Sequence, residues 1–165
     1  MKTLKGPAIF LAQFISDEEP FSSLKKIAAW ASRLGFVGIQ LPIGNPDFID
    51  VRKAAESNVY CDELKGHCSE FGIEITELST HLEGQLIAVH PAYDKLFDSF
   101  APHEVHNNPK ARSEWASQQL RLAAQASANL GLSNQATFSG SLLWPYVYPL
   151  ALIHISEPTR PRSIS

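Results

Sequence analysis

Each of three glycines in this sequence closes an amphipathic run at helical spacing and opens a short strand-like one. That repeat restricts the fold more than any other feature. The steps are Leu34-Gly35-Phe36, Phe71-Gly72-Ile73 and Leu130-Gly131-Leu132. Before the first, Leu24, Ile27, Ala28, Ala31 and Leu34 fall on one face of a helix, with Ser22 or Ser23 available to cap its start. Cys61, Leu64, Cys68 and Phe71 repeat the spacing before the second step, and Ala116, Leu120, Ala123, Ser127 and Leu130 before the third. A glycine just past a helix adopts a left-handed conformation that other residues resist, so all three are expected to end helices. The residues that follow, 37–41, 73–78 and 135–138, have strand composition, and residues 8–12 supply a fourth run ahead of the first helix. Strands alternating with helices predict an α/β fold with a parallel sheet and right-handed crossovers.

The interval from Gly72 to Gly131 is longer than that from Gly35 to Gly72 by roughly twenty residues. The excess falls between Leu82 and Asn108, a stretch rich in Pro, His, Asp and Asn. A polar insertion at the carboxyl end of a strand is where α/β enzymes carry binding loops, so a functional loop is expected there.

At 165 residues, 44% hydrophobic and 19% charged, the chain is long and apolar enough to bury a core. Its net charge of −3, with Lys and Arg scattered, gives no electrostatic footprint for nucleic acid or an anionic membrane. The apolar stretch at residues 7–15 is interrupted by Gln13 and too short to cross a bilayer, so a cytoplasmic protein is expected, with a signal peptide as the alternative. Cys61 and Cys68 sit two helical turns apart, roughly 10 Å along the axis, too far to bridge. They read as small buried hydrophobes.

The segments Gly35-Phe36-Val37-Gly38-Ile39-Gln40-Leu41-Pro42 and Gly72-Ile73-Glu74-Ile75-Thr76-Glu77-Leu78-Ser79-Thr80-His81-Leu82-Glu83-Gly84-Gln85-Leu86, with the helix and strand from Asn108 to Gly140, resemble the sugar phosphate isomerase/epimerase family, one of the xylose-isomerase-like barrels. The resemblance covers roughly residues 5–149. It implies a partial (β/α)8 TIM barrel, with residues 1–149 as the N-terminal half and four of the eight strands present; a whole barrel takes about 250 residues. Residues 150–165 are unlike the family's next helix and resemble translated adapter or vector DNA, with Pro158 and Pro161 favouring a frayed tail.

The activity implied is aldose–ketose isomerisation or epimerisation of a sugar or sugar phosphate by proton transfer next to a carbonyl. A divalent metal (Mn, Mg, Co or Zn) would be held by carboxylates and a His on later strands, beyond Leu150. Those ligands are absent from this chain, and the fragment alone is expected to be inactive. Open sheet edges at the first and fourth strands predict self-association.

Five residues are candidates for substrate contact. His81 ends the third strand, in the mouth of a barrel, and is either close to substrate or metal or a hydrogen-bonded structural His. Glu83, with Gln85, follows on the same segment and either contacts hydroxyls or is solvated. Gln40 closes the second strand where many relatives carry Glu; an amide can bind a sugar but cannot act as a base. His90, in His90-Pro91-Ala92-Tyr93, belongs to a loop that could fold over a ligand. Trp144 could stack on a sugar ring or pack in the core. The His103-Glu104-His106 cluster could hold zinc, but irregular flanking sequence favours two solvated histidines. Trp30 and Trp115 read as packing against the sheet.

Two other functions compete. A zinc-dependent abasic-site endonuclease of the same superfamily would need a basic cleft, which the charge opposes. A complete flavodoxin-like binding module would need the last fifteen residues to be structured.

Overall fold

A computed structural model describes residues 4–142. Its elements, in chain order, are β1 (Ala8–Phe10), α1 (Leu24–Arg33), β2 (Gly38–Pro42), α2 (Val51–Glu56), α3 (Asn58–Ser69), β3 (Glu74–Thr80), α4 (His81–Gln85), α5 (Pro109–Leu130) and β4 (Gln135–Thr137), with two 3-10 helices, Pro91–Phe100 and His103–Val105, between α4 and α5. The fold is α/β: one four-stranded, all-parallel sheet in the order β1-β2-β3-β4, flanked by helices. Each of the three predicted glycines stands in left-handed backbone, Gly35 at φ 85°, Gly72 at 69° and Gly131 at 77°. At Gly131 the backbone N–H closes the end of α5 on the carbonyls of Ala128 and Ser127.

The helices begin where short polar side chains can answer free N–H groups. Asn108 accepts from the Ala111 N–H ahead of Pro109, the first residue of α5. Asp50 does the same for α2, and Ser57 for α3. Ser23 holds the cap position of α1, but its side chain makes no capping bond. Helix α2 has no counterpart in the sequence reading, because its single buried residue, Ala54, leaves no apolar periodicity to detect.

One face of the sheet is covered by helices. Ile39, Leu41, Ile75 and Leu78 pack into a single core with Leu24, Ile27, Ala28 and Ala31 of α1, Cys61, Leu64 and Cys68 of α3, and Ala123, Ala126 and Leu130 of α5. Helix α1 lies against α3, and α3 against α5. Both cysteines are free and buried, and burial pushes the Cys68 thiol up to about 12. Trp30 meets Phe14 and Phe21 at the edge of this core, whereas Trp115 belongs to a second cluster away from the sheet.

A β-bulge decides what the opposite face carries. Ile39 pairs with Ile75, but Gln40 pairs with Glu77, so Thr76 is the extra residue, and its hydroxyl donates to the Ile39 carbonyl at 2.9 Å. Side chains alternate along a strand; skipping one residue therefore turns Glu77 and Ser79 away from the helices and leaves Leu78 in the core.

The segment expected to be a loop, Leu82 to Asn108, is largely structured. It contains most of α4 and both 3-10 helices, and its Leu86 and Phe97 pack with Ala116 and Trp115 of α5 in the second cluster. Arg112 of α5 anchors it. The guanidinium is buried and donates through Nη1 to the Asp94 carbonyl at 2.9 Å and to Asp98 Oδ1 at 2.5 Å, and through Nη2 to Asp94 Oδ1.

Helix α4 touches the residues after β4 so closely that only glycine fits at its centre. A Cβ on Gly84 would stand 2.6 Å from Thr137 Oγ1 and 2.7 Å from the Phe138 nitrogen. Gly84→Ala is therefore expected to destabilise the protein by about 1–3 kcal/mol, read from urea unfolding midpoints. An unchanged midpoint would mean that the two segments are not held this close.

Candidate functional site

Beyond the carboxyl ends of the strands, walled on one side by α4, lies a cavity of about 560 Å³. Every strand contributes to it. Phe10 ends β1, Pro42 ends β2, Ser79 and His81 stand at the end of β3, and Phe138 follows β4. In parallel α/β sheets ligands bind at this end, where connections diverge and backbone groups are left free.

His81 is part of the wall. It is the first residue of α4, directly after β3, and its ring sits 4.8 Å from that of Phe10 and 5.1 Å, edge-on, from that of Phe138. Burial lowers its pKa, and the nearby Glu77 carboxylate only partly restores it, so the imidazole is neutral at pH 7. Nδ1 is buried and has no hydrogen-bond partner among the described residues.

Glu83 lines the same cavity at 5% exposure. Its carboxyl is raised above the usual range by burial, with its own backbone N–H opposing, and no cation contributes. Gly44 makes room for it: a Cβ there would meet Glu83 Oε1 at 3.3 Å. A neutral imidazole and a carboxyl of raised pKa, both lining one cavity, can exchange protons with a ligand. Gln85 also lines the space, although its amide is partly engaged, donating to the His81 carbonyl at 3.3 Å.

Gln40 and His90 lie elsewhere. Gln40 stands in the middle of β2, its amide donating to Glu77 Oε1 at 2.5 Å, and does not reach the cavity wall. His90 precedes the first 3-10 helix, where Nδ1 accepts from the Ala92 N–H at 3.1 Å and the ring tilts over Tyr93. Trp144 and residues 150–165 lie outside the described residues. Phe10, Gln13, Asn45 and Phe138 also belong to the wall and do not stand out in the sequence as site residues; the signal that could have found Phe10 and Phe138 is their place at strand ends.

The His103 and His106 rings are 5.2 Å apart, and His106 Nε2 lies 2.9 Å from the Ala101 carbonyl oxygen. Among the described residues no three His, Cys, Asp or Glu side chains come together as a metal site, so none of them is assigned to a divalent ion. No described helix is long and apolar enough to cross a membrane.

Neither family models nor curated proteins give a match to this sequence.

Proposed function

We propose that this chain is part of an α/β barrel of the sugar isomerase/epimerase type, and that the cavity around His81 and Glu83 receives the sugar. The observation that carries the reading is the convergence of these two side chains at the carboxyl ends of four parallel strands. Strand order supports the barrel. The sheet runs β1-β2-β3-β4 without reversal, its helix-bearing face continuous from α1 to α5. A flavodoxin-like sheet runs 2-1-3-4-5, placing its first strand inside and its ligand at the point of reversal. Here β1 is an edge, as the barrel reading requires.

Within this reading Glu83 is the described group best suited to take a proton from a carbon next to a carbonyl, because it lines the cavity and burial raises its basicity. Neutral His81 can donate to or accept from a hydroxyl. A divalent ion, in the enzymes this chain resembles, polarises the substrate oxygens. No described residue is given that task.

The test is ligand-observed and protein-observed NMR of the full chain against a panel of pentoses, hexoses and their phosphates. At least one should bind with a Kd of about 1 mM or tighter and shift the His81 ring resonances. A panel in which no compound moves His81 removes the proposal.

A further inference from the structure

We infer that the cavity around His81 and Glu83 takes an uncharged polyhydroxylated ligand, a free sugar or polyol, in preference to its phosphate ester. The inference rests on the sugar-binding reading above and narrows it.

The wall offers apolar surface and neutral hydrogen-bonding groups. Phe10, Ile15, Leu82 and Phe138 present carbon surface suited to the C–H faces of a sugar ring, while Gln13 and Asn45 bring amides. The charged group on the wall is Glu83, and a second carboxylate, Glu77, is close enough to His81 for its charge to be felt there. His81 is neutral at pH 7 and adds no positive charge. Ionised, Glu83 repels a phosphate dianion; protonated, it can donate to a hydroxyl, and in neither state does it neutralise the dianion.

A phosphate can also be held by the free N–H groups at the start of a helix. At this cavity that helix is α4, and its first turn carries Glu83 itself, whose carboxylate accepts from its own backbone N–H. The place an incoming anion would use is thus taken by a carboxyl group of the chain. Among the described residues lining the cavity, none is Lys or Arg.

The experiment compares the full chain's affinity for each free sugar with that for its phosphate ester, at ionic strengths of about 0.15 M and 1 M, where screening lengths are about 8 and 3 Å. The free sugar should bind at least about tenfold tighter at the lower salt, and the gap should shrink at the higher. Glu83→Gln should shrink it as well; if that variant does not fold, the salt series on the wild-type chain gives the same reading. A phosphate ester that binds as tightly as its free sugar overturns the inference while leaving the sugar site standing. A gap that ignores both salt and Glu83→Gln overturns it too, since charge would not be its cause. If no member of the panel binds, the sugar reading falls and takes this inference with it.

Discussion

Arg112→Met is expected to remove about 3–5 kcal/mol of stability, the cost of taking one partner from a buried ion-pair network. The guanidinium is 2% exposed and bonds both Asp94 and Asp98, while Asn107 donates its backbone N–H to the same Asp98 carboxylate at 3.0 Å. Removing the cation strands two carboxylates beside an apolar cluster. Urea unfolding should show the loss, and Asp94→Asn with Asp98→Asn in the same background should recover part of it by removing the uncompensated charge. A loss below about 1 kcal/mol would mean that water reaches this pair as it would on a surface.

The same network gives the fold an acid limit. Burial raises the Asp98 carboxyl, but the Asn107 N–H and the Arg112 hydrogen bond and charge outweigh burial and hold it below the ordinary carboxylate range. A group whose folded pKa is depressed stabilises the native state above its unfolded pKa, near 3.9, and loses that contribution as pH falls through the folded value. Acid should therefore loosen the segment from Leu86 to His106 first, because Arg112 is its charged anchor to α5. Hydrogen exchange along that segment at falling pH checks the order of events.

Glu83→Gln carries the second large effect, and its two consequences have opposite signs. Sugar affinity should fall by about tenfold to a hundredfold, corresponding to about 1.5–3 kcal/mol for a hydrogen bond to a charged group. Stability at pH 7 should rise. The folded pKa of Glu83 is raised, so the native state binds its proton more tightly than the unfolded chain does. Stability consequently declines as pH climbs from the unfolded value, near 4.3, through the folded one, and glutamine, which does not titrate, escapes that decline. Unfolding curves of both proteins from pH 4 to pH 9 should converge at the acid end and separate at the alkaline end. Parallel curves would show that Glu83 is hydrated as freely in the folded state as in the unfolded one.

The candidate site was legible in the sequence only in part. His81 directly follows a run of strand composition and is therefore expected at a strand end, the position where ligands bind. Glu83 reads in sequence as a loop carboxylate, solvated or touching hydroxyls, because nothing in its neighbours in sequence reveals that Gly44 leaves a place for it. Gln40 and His90 have plausible residue types, yet Gln40 donates to Glu77 in mid-strand and His90 Nδ1 accepts from the Ala92 N–H ahead of a 3-10 helix. Neither lines the cavity, so residue type without position does not bring them to the site.

Sequence alone determined the alternation of helix and strand and the ends of three helices. Those are local matters: an apolar stripe repeats every three or four residues, and glycine alone enters left-handed backbone at no cost. Tertiary structure decided which side chains share a space. The bulge at Thr76, the burial of Arg112 between Asp94 and Asp98, and the enclosure of His81 by Phe10 and Phe138 each join residues distant along the chain. Contacts of that kind are set by register and packing, which no window of neighbouring residues encodes.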